Sequence, residues 1–436
     1  MKIGVIGLGF VGLSFASVLA SKKFDVIGID NDITKINTIS NGKPPFFEPN
    51  LETQLNNALK NKLQLTTKIE DVVKNCQFIF VTVGTPLNKK GEINLKIILD
   101  VCKKIGLSLT KTNNRPIIII KSTVIPGTTS NEIRKTLEEK SHKKAWKDFG
   151  LVTNPEFLRE GRAIHDTKEP HLTVIGSENE KEISEMKKFY KKIYKKMIPT
   201  IATNNTTAEM IKYANNSFLA TKISFINSIA NLCQKLPGTN INDVANAIGI
   251  DPRIGKQFLN AGPGYGGSCL PKDLQAIISM SKKIGEEPLL LNAVQKTNSK
   301  QIQKILKLVE NELTKLNNKQ ITILGLSFKE ESDDIRESIS IKLIEKLLKK
   351  HARIKVHDPK AIKNTQNIFG SKIMYYTKIK NSLQDSECAI IMTPWKQYKK
   401  LKKSDFQKMN KKIIIDTRRI LKLKDKNFKY IGLGMG

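Results

Sequence analysis

The chain has 436 residues, 39% hydrophobic and 26% charged, which suits two or three globular domains; no apolar run reaches the length of a bilayer span. Its 74 Lys and Arg stand against 41 Asp and Glu, a formal net charge of +33, and the lysines are spread along the whole chain. That pattern points to a solvated surface whose field attracts a small anionic substrate, rather than to a nucleic-acid or membrane partner.

Residues 3–9 read as a short buried strand, followed by a helix from Phe10 to Ser21. The start, MKIGVIGLGFVGLSFASVLA, imitates a signal peptide, but its glycine spacing has a better explanation. Further apolar strands are read at 24–30, 77–86, 115–123, 149–157 and 171–177, with helices at 34–41, 48–60, 94–110 and 129–141. Alternating strands and helices predict a doubly wound α/β domain over residues 1–200. The lysine-rich runs at 187–196 and 396–403 carry aromatics at helical spacing, as an amphipathic face does.

The middle differs. Residues 207–236 contain no glycine or proline and read as one long helix, with shorter helices at 240–249, 252–258, 271–283 and 287–301. This all-helical block, 201–305, has no strand pattern of its own. The strand style returns after Asn317, at 319–328, 353–359, 388–394 and 412–418, with a helix at 338–350. A second Rossmann-like α/β domain is expected over 318–436.

Chemistry concentrates at a few places. GLGFVG places Gly7, Gly9 and Gly12 around Phe10 and Val11, between a strand and a helix, and Asp30 closes the next strand. Glycines let backbone approach a pyrophosphate at the helix N-terminus, and the acid takes ribose hydroxyls, so NAD is expected rather than its 2′-phosphorylated form. Lys35 could reach the same ribose. Thr85 and Thr123 end strands at the carboxyl edge of the sheet, where such folds bind ligands. Glu156 and Glu160 flank Phe157 and Leu158; spacing alone reads them as surface acids at a helix start. Lys212 and Asn216 share a helix face among apolar neighbours and must point at water or at a ligand.

GPGYGGSCLPKD, from Gly262 to Asp273, reads as a mobile, charged glycine-rich loop with Cys269 in it. A thiol in an open, electropositive setting is a candidate nucleophile. The five cysteines, at 76, 102, 233, 269 and 388, are odd in number and lack CxxC spacing, so neither a disulfide framework nor a metal site is expected, and the expected compartment is the reducing cytoplasm.

GLGFVG, VGTP, KSTVIPGTT, NPEFLREG, the Lys212/Asn216 helix, GYGGSCLPKD and GLSFKEESDDIRES occur in that order. The set resembles the nucleotide-sugar 6-dehydrogenases, most closely the UDP-glucose branch, over the whole chain. The resemblance implies four-electron oxidation of a UDP-sugar C6 alcohol by two NAD⁺, with Cys269 forming a thiohemiacetal and then a thioester. It further implies that Lys212 and Asn216 stabilise the oxyanion, that Asp273 and Thr123 hold the hydrolytic water, and that Glu156 is the base of hydrolysis. Glu160, Lys272 and Arg336 would lie on the cofactor side. Phe157, Leu158, Arg159, Phe258, Tyr265, Gly266 and Lys329 would contact the sugar nucleotide, and Arg253 would reach the substrate of a neighbouring copy in a homodimer or larger assembly. Other sugars of the same chemistry are GDP-mannose, UDP-galactose and UDP-N-acetyl-hexosamines. His171, Leu172, Ser228 and His357 depart from the family's usual residues, at positions that are not catalytic. A two-electron hydroxyacid dehydrogenase would lack the second α/β domain and need no cysteine; a polynucleotide-binding protein would not need the intact site.

Overall fold

Ile117–Ile120 shows why the strands form. Ile117 and Ile119 enter one apolar layer, Ile118 and Ile120 the other, so a run of four β-branched residues is buried on both faces. In the computed structural model, which describes residues 1–194, 196–423 and 426–436, the chain forms two units, Met1–Asn215 and Asn216–Gly436.

The first unit holds β1 (Lys2–Ile6), β2 (Asp25–Ile29), β3 (Leu63–Thr66), β4 (Phe78–Val81), β5 (Ile117–Ile120), β6 (Gly150–Thr153), β7 (Thr173–Gly176) and β8 (Thr200–Thr203). Their order is β3-β2-β1-β4-β5-β6-β7-β8. Every pair is parallel except β6 and β7, which meet antiparallel at Thr153 and Gly176. The lysine-rich run at 187–196 falls largely in the helix Glu180–Ile193; Phe189, Tyr190 and Ile193 are buried while Lys187, Lys188, Lys191 and Lys192 face solvent. Lys195 lies outside the described residues.

The unit boundary falls within the helix Asn205–Cys233. In the second unit come the helices Ile241–Ile250, Leu270–Lys283 and Leu289–Leu313. Residues 252–258, expected to be helical, are turns: Gly255 at φ 70° and Phe258 at φ 66° leave the right-handed helical region. The helix expected to stop at 301 runs to Leu313. Ile302, Ile305, Leu306, Val309 and Leu313 form one apolar stripe, buried on the second sheet.

That sheet contains β9 (Gln320–Leu324), β10 (Arg353–His357), β11 (Met374–Tyr375), β12 (Cys388–Ile391), β13 (Ile413–Asp416) and β14 (Lys429–Gly432), all parallel, in the order β11-β10-β9-β12-β13-β14. The first six strands of the larger sheet follow the same order. Each sheet therefore reverses its direction of growth beside its first strand, where doubly wound folds bind ligands.

Candidate active site

The first unit offers a cradle at its switch point. Gly9 is the N-cap of the helix Phe10–Ser21 and supplies no side-chain cap, and a Cβ built on it would meet nothing within 4 Å. The first-turn N–H groups, including Phe10 and Val11, are left to an anion. A Cβ at Gly12 would stand 1.9 Å from the Gly7 carbonyl oxygen, so strand and helix approach only over glycine. Asp30, 6% exposed, accepts from Leu8 N at 3.0 Å and pairs with Lys35 Nζ at 2.8 Å. Lys35 thus rests on the acid itself. Thr85 Oγ1 donates to the Thr123 carbonyl at 2.7 Å, tying the loops after β4 and β5 together. An open helix N-terminus, a glycine-only crossing and a buried acid beyond β2 fit NAD. Asp30→Ala is expected to raise the KM for NAD⁺ at least tenfold, measured by initial rates; an unchanged KM would mean that the dinucleotide binds elsewhere.

The NPEFLREG segment is not a surface turn. Glu156 is 8% exposed and Glu160 is also buried. Glu156 Oε1 accepts from Lys212 Nζ at 3.1 Å, and the ammonium sits 5.2 Å over the Phe157 ring. Glu156 Oε2 caps the Leu158 N–H. The segment is held from outside by two further acids. Glu48 accepts from Gly161 N and Ala163 N at 2.7 Å each. Asp166 takes the Arg159 guanidinium through two bonds, at 2.8 and 2.7 Å. Arg159 is thereby committed to shaping its own loop.

Glu209 stands one helical turn before Lys212. It accepts from Gly127 N and from Thr129 N at 2.9 Å, fixing the loop that carries Thr123. Burial pushes its carboxyl up to about 7, against the hydrogen bonds that favour the charged form.

In the second unit the glycine-rich segment is bonded at several points to the surrounding helices. Gly262 N donates to Asn227 Oδ1 and Gln301 Nε2 to the Gly262 carbonyl; the Asn298 amide bonds both N and O of Tyr265. Gly267, at φ 82°, donates to the Arg336 carbonyl, and a Cβ there would stand 2.7 Å from the Phe328 ring. Gly266 is pressed as closely on the Glu337 carbonyl.

This rigid approach delivers Cys269 to the N-cap of the helix Leu270–Lys283, with Pro271 in the first turn. Cys269 is exposed, and its Sγ lies 3.6 Å from Ser268 Oγ. A helix N-terminus favours the thiolate. Cys76 and Cys102 are the contrast: burial pushes each thiol up to about 12, and Cys388 is raised for the same reason. Asp273, 1% exposed, accepts from Asn216 Nδ2 at 2.6 Å and from the Lys272 ammonium. Lys212 and Asn216, expected to point at water or a ligand, are both buried and each bonded to an acid.

Other expected residues are less engaged. Arg253 is exposed and folded back on Asp251, and Arg336 likewise on Asp334. Phe258 is half-buried at a positive φ, and Lys329 is partly buried. The carboxylates of Glu48 and Glu209 and the amides of Asn298 and Gln301 escaped the sequence reading, because each acts on backbone far away in the chain.

Family models for the UDP-glucose/GDP-mannose dehydrogenases match in order: the NAD binding domain over residues 1–194, the central domain over 206–300 and the UDP binding domain over 322–423. The chain is 37% identical to the UDP-glucose 6-dehydrogenase TuaD of Bacillus subtilis over 426 residues, 97% of this chain and 90% of that protein. Among solved structures, a UDP-glucose dehydrogenase from Pyrobaculum islandicum superimposes with a TM-score of 0.92 at 32% identity, covering 100% of this chain and 98% of that one. A UDP-D-ManNAc dehydrogenase from Pyrococcus horikoshii reaches 0.87 at 27%, covering 100% and 99%. Among the described residues no helix is long and apolar enough to cross a membrane. With all three domains matched in sequence order, the chain belongs to the UDP-glucose/GDP-mannose dehydrogenase family, a family of NAD-dependent oxidoreductases.

Proposed function

We propose that the chain oxidises the C6 alcohol of UDP-glucose to the carboxylate of UDP-glucuronate, with Cys269 as covalent nucleophile. The observation that carries this reading is an exposed thiol at a helix N-cap, on a segment held rigid by Asn227, Asn298 and Gln301. The higher identities to proteins named for UDP-glucose support that sugar over an N-acetylated one.

The Gly7–Gly12 turn and Asp30 would hold NAD⁺, which would supply the hydride acceptor for each of two oxidations. The Lys212 ammonium, kept in place by Glu156, stabilises negative charge on the C6 oxygen as the alcohol loses its proton. Loss of a first hydride from C6 leaves the aldehyde, the Cys269 thiolate adds to its carbon, and the oxygen takes up a proton to give a thiohemiacetal. Loss of a second hydride and the hydroxyl proton leaves a thioester. Water, oriented by Thr123 and Asp273 with Glu156 as base, attacks that carbonyl; the C–S bond breaks and the thiol is returned. Covalent capture keeps the aldehyde from escaping between oxidations.

Asn216 and Lys272 hold Asp273 in place for that step. The exposed Phe218, Phe225, Leu232 and Leu236 on and just beyond the long helix support a homodimer, in which Arg253 reaches the second copy's substrate. A reduced, exposed thiol of this kind suits the cytoplasm.

The test is NADH released per sugar consumed, with excess NAD⁺, on UDP-glucose, UDP-galactose, UDP-N-acetylglucosamine and GDP-mannose. Two NADH per UDP-glucose is expected. Two per molecule of another sugar and none with UDP-glucose would move the specificity. One per sugar would remove Cys269 from its role.

A further inference from the structure

β5 ends on a lysine that turns inward. Lys121 is 7% exposed. Its ammonium donates to Asn154 Oδ1 at 3.0 Å and to the Asn154 carbonyl at 3.5 Å, and lies 5.2 Å from the centre of the Phe15 ring. The Tyr190 hydroxyl donates to the same Asn154 Oδ1. Among the described residues no carboxylate lies within 4.0 Å of Lys121 Nζ. An ammonium buried without a counter-ion is expensive, and such groups persist where a neighbouring charge makes use of them.

The neighbouring charges are those of the active site. A cavity of about 40 Å³ is lined by Lys121 and Glu156 together with Asp166, Thr167 and His171. Glu156 favours the charged form of Lys121, and Lys212, 3.1 Å from Glu156, opposes it. Three buried ionisable groups thus feel one another in the interior of the first unit.

We propose that Lys121 is a positioning residue for the oxidation: with Lys212 and Glu156 it completes a buried cluster of two ammoniums and one carboxylate, whose excess positive charge meets the oxyanion developing at the sugar. Without Lys121 the Lys212–Glu156 pair is neutral overall and offers the oxyanion a weaker field. The proposal rests on the function proposed above, which puts Lys212 at the reacting oxygen.

Burial lowers the Lys121 ammonium to about 8, the Glu156 carboxylate holding it up and Lys212 pressing it further down. The sign follows. As pH rises through about 8 the cluster loses its excess charge, and oxidation slows. The other titratable groups around it are Asp166 and His171 on the cavity wall and Tyr190 and Tyr194 on the packed helix and its end. Asp166 is held low by Arg159, and both tyrosines are raised by burial, so none of these three titrates between pH 7 and 9.

The experiment measures kcat between pH 7 and 9 for the wild type, Lys121→Met and Lys121→Arg, each checked by thermal melting. The wild type is expected to fall to a lower plateau above about pH 8. Lys121→Met is expected to run flat at that plateau, roughly tenfold below the wild type at pH 7. Lys121→Arg, charged throughout, is expected to hold the neutral-pH rate to pH 9. Should Arg lower the melting temperature, Met decides alone. Wild-type kcat in Lys121→Met, or the same alkaline fall, overturns the proposal.

A second arm needs no turnover. Lysine side-chain NMR should show Lys121 titrating near pH 8, with its midpoint moving down in Glu156→Gln and up in Lys212→Met. Unmoved midpoints overturn the cluster. Moved midpoints in a protein that oxidises no nucleotide sugar leave the cluster standing and remove the proposed function instead.

Discussion

Cys269→Ala is expected to reduce formation of the sugar acid at least a thousandfold while leaving a first oxidation that stops at the aldehyde. The other four cysteines are buried and cannot reach a substrate. Ser268 puts a hydroxyl next door, but a hydroxyl is a far weaker nucleophile than a thiolate at neutral pH. Hydride loss from the alcohol does not itself require the thiol, so one NADH per sugar should appear in a slow reaction. The check is aldehyde trapping by a hydrazine, together with acid quantification. Acid formation by the variant at the wild-type rate would remove covalent catalysis.

Lys212→Met has two expected effects, separable by a second substitution. Loss of the ammonium at the developing oxyanion should lower kcat by about 10²–10³. It also removes the ion pair at 3.1 Å from Glu156, a carboxylate only 8% exposed. Breaking a buried pair from one side costs about 3–5 kcal/mol, whereas neutralising both partners costs far less. Lys212→Met should therefore melt several degrees low. The double variant with Glu156→Gln should recover most of the melting temperature and none of the activity. A single variant with wild-type kcat would take Lys212 out of the reaction, whatever its melting behaviour.

How much of this was readable from the chain depends on the range of the physics involved. GLGFVG and Asp30 were readable because a glycine-only crossing and a strand-ending acid are local demands; β2, β4 and β5 lie within the strands read, and β1 starts one residue before its own. The expected strands overran by a few residues where side chains continue the apolar style beyond the last ladder bond. β3, Leu63–Thr66, was missed because an edge strand with exposed Gln64 and half-exposed Thr66 shows little apolar signal. A helix was expected at 252–258, but Gly255 and Phe258 at positive φ could not be foreseen from composition.

The site shows the same division. That Lys212 and Asn216 share a face followed from helical spacing. That one meets Glu156 and the other Asp273 did not, since those contacts join residues 56 and 57 positions apart. Lys121, after four isoleucines, was read only as part of the strand at 115–123 and drew no separate expectation. Only the Asn154 amide and Phe15, brought from β6's end and the first helix, make its burial intelligible.

The strand order has a consequence for how the chain is made. β1 leaves the ribosome first, yet one of its two neighbours is β4, with Ile3 set against Phe78. β9 likewise waits for β12, with Ile321 set against Cys388. At about 5–20 residues per second, each central strand spends several seconds with one flank unpaired during synthesis. Ile3, Val5 and Ile6 are exposed for that interval, as are Ile321, Ile323 and Leu324, all fully covered afterwards. Slowing translation, or cooling the culture, should change the yield of this chain more than any surface substitution, because the hazard lies in the delay before pairing.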